Sequence, residues 1–387
     1  MTLLLVFGVY LLFLQFQFQY PTLQNTDTKT PDGLNINSAI KLVVVDNRLN
    51  YILRKDNNQV DKSVVLNRSC THIDAVYTWV NGSDLAHMEK RTKAGFNVRS
   101  DVARYREIGA LKYSLRSLSQ NAPWIKNIWI ITDSQIPDFF NTSSESNIKF
   151  IFHESFFNNR SHLPTFNSVS IESNFYNLPE EVSNCFLYFN DDVFLKTPVK
   201  PTDFFFGDKE QVLFEDLDTI GGYYYRMFDK LDAYHKSLVL SAKLLDRVFN
   251  ITEQMERKKS DHGVQVFDRR VLIEMQQKLE VELDLASSHK TRDNSDPQFH
   301  FLYNQFAKKY QNSFTVKNGY NFYGGVTSNM TMLKTTLYNA VKSPAKVICL
   351  NDGLDYLNYS EPVVELTSFY NGLFPNPGSW ELVSIEV

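Results

Sequence analysis

Between Ile73 and Phe189, short runs of β-branched and aromatic residues alternate with a stretch of helical period. That alternation restricts the chain to an α/β architecture. Ile73–Val80 (IDAVYTWV) is such a run, closed by the turn pair Asn81-Gly82. Ile108, Leu111, Leu115 and Leu118 then fall on one helical face. Asn127–Thr132 (NIWIIT) reads as a strand running into Asp133-Ser134, and Lys149–Phe152 and Cys185–Phe189 (CFLYF) read as two more. Strands separated by helices predict a mainly parallel sheet flanked by helices. In such sheets ligands gather at the carboxyl ends of the strands, so polar groups there carry the most weight.

The rest of the chain is read around that unit. Val264, Phe267, Val271, Met275 and Leu279 repeat at three and four residues, as do Phe299, Leu302 and Phe306. They predict a helical subregion over about residues 235–310, with His262 opening a helix of about four turns. Leu42–Val45 and Ser63–Leu66 read as the short strands of a hairpin, and residues 21–38 as a polar stem. Leu3–Leu14 is almost wholly apolar. Twelve residues fall short of the roughly 20 that a membrane span needs, so residues 1–20 are read as a signal peptide or short signal-anchor. The division expected is therefore 1–20, 21–70 with stem and N-terminal strands, and a catalytic domain over 71–387.

Composition narrows the function. At 387 residues and 43% hydrophobic the chain can bury a large core, and its net charge of −4 excludes the basic footprint of a nucleic-acid binder. The three cysteines fit no zinc or CxxC spacing and allow at most one internal disulfide. Cys185, inside an apolar run, reads as a buried free thiol. Seven Asn-X-Ser/Thr sequons, at Asn67, Asn81, Asn141, Asn159, Asn250, Asn329 and Asn358, fit lumenal residence.

Three features point to chemistry. Asn190-Asp191-Asp192 directly follows the strand CFLYF. Two adjacent carboxylates at a strand end suit Mg²⁺ or Mn²⁺ shared with a diphosphate, although the same residues also make ordinary turns. Asp74 lies inside an apolar strand, where a carboxylate is costly unless bonded or functional. His262, Arg292 and Asp296 form the third group: a histidine to take a proton from a sugar hydroxyl, an arginine to grip phosphate oxygens, and a carboxylate beyond it.

Together these segments resemble the Stealth family of hexose-1-phosphate transferases, which includes N-acetylglucosamine-1-phosphotransferase and bacterial capsule polymerases. The resemblance covers roughly residues 70–382. It is carried by Ile73–Asp84 (IDAVYTWVNGSD), by the segment from Tyr113 through Leu163–Ser173 (LPTFNSVSIES) to Tyr188–Leu195 (YFNDDVFL), by His262–Gln276 continuing to His289–Gln298, and by Cys349–Tyr356 (CLNDGLDY) with Phe374–Glu381 behind it. It implies a sugar-nucleotide-binding, glycosyltransferase-like α/β fold, a metal site at Asp191 and Asp192, and catalytic roles for His262, Arg292 and Asp296. It implies donor binding by Asp74, Asn81, Arg104 and Arg116, and substrate contacts from Asn167, Asn190, Asn351 and Asp352. The opening of the third segment, HGVQ, departs from the family's proline-containing form. Only about seventy residues separate Asp192 from His262, with no recognition module between them, so recognition of lysosomal protein acceptors is not implied.

The activity implied is transfer of a hexose 1-phosphate, N-acetylglucosamine 1-phosphate foremost, from a UDP-sugar to a hydroxyl of a glycan or polysaccharide acceptor. A phosphodiester forms and UMP leaves. The alternatives are a metal-dependent glycosyltransferase releasing UDP and, ranked below it, a non-catalytic sugar-binding secretory protein. The expected location is the Golgi lumen, as a type II membrane protein anchored through residues 3–14, with cytoplasmic bacterial capsule synthesis as the alternative. The oligomeric state is open, a homodimer included.

Overall fold

The computed structural model describes residues 40–382, apart from 47–48, 56–69, 71, 98–101, 207–209, 254 and 318. The expected signal or anchor segment, the stem and Ser63–Leu66 therefore lie outside the described residues. In chain order the strands are β1 (Ile40–Asp46), β2 (Leu49–Lys55), β3 (Ile73–Thr78), β4 (Ile128–Thr132), β5 (Ile148–Phe152), β6 (Cys185–Asn190), β7 (Val193–Leu195), β8 (Phe205–Phe206), β9 (Glu210–Ile220), β10 (Arg257–Ser260), β11 (Gln265–Asp268), β12 (Asn312–Lys317), β13 (Asn321–Val326) and β14 (Val347–Asp352).

The central sheet has the order β11-β6-β3-β4-β5. Its four neighbours from β6 to β5 run parallel, and β11 joins β6 antiparallel. All five residues of β4, and the first five of β6, are buried. This is why these segments read as continuous apolar runs rather than alternating ones: helices or loops cover both faces. A three-stranded sheet, β13-β14-β7, extends from β6 through the tight Asp191-Asp192 connection. A third sheet, β1-β2-β12-β9-β10 with β8 beside β9, lies off the central one. Leu42–Val45 falls in β1, which pairs antiparallel with β2, a strand the sequence reading did not include.

The helices are α1 (Leu85–Lys93), α2 (Ala110–Asn121), α3 (Ser168–Glu172), α4 (Gly222–Arg226), α5 (Ala233–Val248), α6 (Arg269–Lys278), α7 (Glu280–Ser288), α8 (Phe299–Tyr310), α9 (Met330–Lys342) and α10 (Ser360–Leu373). Leu111, Leu115 and Leu118 bury one face of α2 against the central sheet, as their spacing predicts. None of the helices is long and apolar enough to cross a membrane, among the described residues.

The expected helix from His262 is replaced by a turn, the strand β11 and then two helices. Asp268 caps α6 by accepting from the Arg270 amide, which stops the helix from starting earlier. Val264, Val266 and Phe267 are all buried; burial on both faces of β11 imitated a helical repeat. The expected subregion 235–310 is accordingly a mixture, with β10 and β11 between α5 and α6.

Cys185 is not a free thiol. It is bonded to Cys70, and Cys349 is the buried free cysteine. Sequence spacing did not reveal this, because the two cysteines, 115 positions apart, are brought together only by the pairing of β3 with β6. Asp268 lies close enough to both sulfurs to form a nominal metal-ligand set. With the two sulfurs bonded to each other, that set has no thiolate to offer.

Candidate active site

The strand β6 ends at Asn190, and the two carboxylates that follow sit at the carboxyl end of the parallel sheet. Asp352 ends β14, and pairing of β14 with β7 brings it to the same place. Glu107 is the fourth carboxylate. It accepts from the Trp79 indole and from the Gly109 amide at the start of α2. The four groups repel one another: burial first, then the charges of Asp192, Glu107 and Asp352, hold the Asp191 carboxyl well above the usual carboxylate range. Burial likewise raises Asp192 to about 6, against a hydrogen bond from Asn351 that opposes the rise. Burial also raises Glu107 and Asp352.

Asn351 donates to Asp192 (3.2 Å), and Arg106 pairs with Asp352 (3.1 Å) beneath the ring of Tyr359. One oxygen of Asp192 and one of Asp352 are nevertheless buried without a hydrogen-bond partner. Orphaned hard oxygens amid surplus negative charge are the ligand type that Mg²⁺ or Mn²⁺ takes, but no three of these carboxylates bring ligand atoms within 4.8 Å of one another, so they would have to draw together to share an ion.

On the other side of Asn190 a second cluster faces the same strand end. The Tyr188 hydroxyl bridges Asn190 (3.0 Å), Thr78 (2.7 Å) and Glu172 (3.2 Å). Glu172 lies 3.7 Å from His300. Burial pushes Glu172 up to about 7, with the Arg292 charge pulling the other way. His300 falls to about 3, through burial first and then the positive charges of His262 and Arg292. Arg292 is exposed and donates to Ser168 at the start of α3 (3.1 Å). His262, in the β10–β11 turn, keeps an exposed edge and packs its ring 4.8 Å from Tyr323. Desolvation there lowers its pKa, against the opposing charge of Asp216, and so favours the neutral ring that can accept a proton.

A cavity of about 220 Å³ opens beyond the ends of β3 and β4, lined among others by Trp79, Asn81, His87, Lys90, Asp133 and Gln135. Asn81 stands in it, its backbone exchanging hydrogen bonds with Gln135. Trp79 connects it to the acidic cluster through Glu107.

Four of the expected site residues are engaged in contacts within the protein. Asp74 is fully buried at the opposite end of β3 from the carboxylates, four residues upstream of Thr78, roughly 13 Å along the strand. It accepts from Asn127, Trp129 and the Ser183 amide, tying β3 to the segments beside it. Arg116 is buried and held in a two-pronged pair by Glu381 (2.7 and 2.6 Å), with the Phe374 carbonyl as a further acceptor. Through these contacts it anchors the C-terminal segment. Asn167 caps α3 and donates to Asp296 (2.8 Å). Asp296 is buried, with its oxygens engaged by His289 (2.6 Å), Asn167 and the Asp293 amide. These contacts tie the carboxylate to the 289–296 loop that it closes. Arg104 lies on the surface at the end of the short turn Val102–Arg104, and Arg106, two residues on, is the arginine that reaches the acidic cluster.

Sequence reasoning missed Arg106, Glu107, Glu172 and His300. Glu172 stood inside the quoted segment LPTFNSVSIES, which was the available signal. The other three are recruited by tertiary pairing.

Comparison with known proteins follows the same residues. Models described as Stealth protein conserved regions 1, 2, 3 and 4 match residues 71–99, 104–213, 261–309 and 341–386. An exopolysaccharide phosphotransferase of Nocardia farcinica is 31% identical over 323 residues, covering 81% of this chain and 61% of that protein. The exopolysaccharide phosphotransferase CpsY of Mycobacterium tuberculosis is 28% identical over 341 residues, covering 81% and 59%. One from Streptomyces coelicolor is 44% identical over 140 residues, covering 34% and 15%. The chain thus spans less than two thirds of the length of these relatives. Among solved structures, an active-site mutant of LgtC superposes with a TM-score of 0.38 at 13% identity, covering 80% of this chain and 99% of the other.

Proposed function

Because the chain belongs to the Stealth family, we propose that it transfers a hexose 1-phosphate from a UDP-sugar to a hydroxyl of an acceptor saccharide. N-acetylglucosamine 1-phosphate is the group favoured. The observation that carries this reading is the meeting of two opposite clusters at one strand end: surplus carboxylate at Asp191, Asp192 and Asp352, and Arg292 with neutral histidines across Asn190. A diphosphate needs both, a cation site for its oxygens and a guanidinium for the phosphoryl group that moves. The names of the relatives, exopolysaccharide phosphotransferases, support a polysaccharide as acceptor.

In this reading Asp191 and Asp192, with Asp352 beside them, would hold a divalent ion, which when bound would supply charge neutralisation at the diphosphate. The cavity at Asn81 and Trp79 receives the nucleoside end of the donor. Arg292 grips the transferring phosphoryl oxygens, and Glu172 with Ser168 keeps the guanidinium in place. His262 takes the proton from the acceptor hydroxyl. The acceptor oxygen forms a bond to the phosphorus that carries the sugar, the bond from that phosphorus to the UMP oxygen breaks, and UMP leaves.

Activity is expected to vanish in EDTA and to return with Mg²⁺ or Mn²⁺. Asp192→Asn should lower it by orders of magnitude with the fold intact by circular dichroism. Full activity in chelator would contradict the metal assignment. Entry into the secretory pathway rests on Leu3–Leu14 and the sequons; expression in a eukaryotic cell tests it, and a product insensitive to endoglycosidase would favour the bacterial setting of the relatives.

A further inference from the structure

Residues 214–260, between the second and third family regions, build a surface beside His262 that the mechanism above leaves unused. The end of β9 carries Asp216 and Asp218, about two-fifths exposed, both paired with Lys259 of β10 (3.8 and 2.8 Å). Tyr224 of α4 donates to Asp218 (2.8 Å) and stacks on His235 of α5, with ring centroids 5.3 Å apart and planes within 15°. Tyr223 meets Tyr224 edge-on, and Tyr234 meets His235 edge-on. Tyr234 in turn lies within the fields of Asp216, Asp218 and Tyr323, and Tyr323 is the ring packed on His262. Three of these rings are widely open to solvent: Tyr223 at 62%, Tyr323 at 49% and Tyr234 at 38%.

We propose that this strip is an acceptor subsite, which seats pyranose units of the saccharide on Tyr323, Tyr234 and Tyr223 and leads its reacting hydroxyl to His262. The chemistry matches on both counts. Aromatic faces cover the C–H faces of a sugar ring, and the carboxylates and ammonium between them offer partners to its hydroxyls. The near balance of Asp216, Asp218 and Lys259 suits a neutral ligand better than a phosphate. The strip is continuous with the candidate site through the His262–Tyr323 contact, as a path for an acceptor chain must be. The inference rests on the transfer reading only in assigning the saccharide as the nucleophile.

The test is saturation-transfer NMR of the full chain with maltotetraose, mannotetraose and chitotetraose. At least one should bind. Tyr234→Ala and Tyr323→Ala should each weaken it about 3–10-fold, the range expected for a single aromatic stacking contact, while Tyr234→Phe should keep it. Bound saccharide should also shield the three tyrosines of the wild-type chain from nitration, a reading that needs no variant. Binding equal in wild type and alanine variants, binding without protection, or no tetrasaccharide bound at all would overturn the proposal. UMP release from UDP-sugars by the wild type is read separately: its absence alongside saccharide binding would sink the transfer reading and leave the subsite standing.

Discussion

At the residue scale, the site could be read wherever a carboxylate stood at a strand end, and was misread wherever it stood inside one. Asp191 and Asp192 follow an apolar run whose end is visible in the sequence. Asp74 looked equally exceptional, but its partners Asn127, Trp129 and Ser183 lie 53 to 109 residues away, and no local pattern announces them. Arg116 shows the same limit, since Glu381 is 265 residues downstream. Breaking that buried pair leaves an uncompensated charge, so Arg116→Ala should cost about 3–5 kcal/mol of stability. Affinity of the folded variant for a UDP-sugar should be unchanged; urea unfolding and calorimetric titration would show both. A lost affinity with stability kept would restore Arg116 to the donor site. Glu172 makes a prediction in pH. Its folded pKa, about 7, lies above the ordinary 4.5, so its contribution to stability is fully present below pH 4.5 and is lost as pH rises through 7. Glu172→Gln, which mimics the protonated acid, should therefore gain stability over wild type at pH 8, and the gain should disappear by about pH 4. A difference independent of pH would show that Glu172 is not buried as a raised carboxyl.

At the scale of elements, the central strands were legible because burial on both faces leaves unbroken apolar runs bounded by turns. The same burial made β11 ambiguous: Val264, Phe267 and Val271 satisfy a helical spacing across a strand, a cap and a helix. The cost of that error is functional, because His262 sits in a turn between two strands and not at a helix N-terminus. Its proton affinity is therefore set by crowding and by Asp216, Lys259 and Arg292, with no helix dipole acting on it. His262→Ala should lower kcat by about 10²–10⁴-fold with little change in donor KM, as expected when a general base is lost. Near-wild-type turnover would remove it from the mechanism. The β3–β6 pairing is closed by the Cys70–Cys185 bond across 115 residues. Cys70→Ser should lower stability by about 2–5 kcal/mol, seen as a fall in Tm that reducing agent reproduces in the wild type. An unchanged Tm would show that strand pairing alone holds this edge.

At the scale of the whole molecule, the architecture followed from the alternation of strands and helices, while the composition of the active site did not. It draws on the end of β6, the loop before α2, α3, the β10–β11 turn, the loop before α8 and the end of β14. The end of β6 and the pair His262 and Arg292 were evident from residue chemistry; the resemblance supplied Asp352, and the fold supplied Arg106, Glu107, Glu172 and His300. What converges there is a carboxylate cluster facing a guanidinium and an imidazole. In the proposed reading these serve attack at phosphorus, whereas a glycosyltransferase would attack the anomeric carbon and keep both phosphates together on the leaving group. Separating the nucleotides released from UDP-N-acetylglucosamine in the presence of Mn²⁺ and an acceptor tetrasaccharide distinguishes them directly: the account predicts UMP with the sugar phosphate joined to the acceptor, and release of UDP would contradict it.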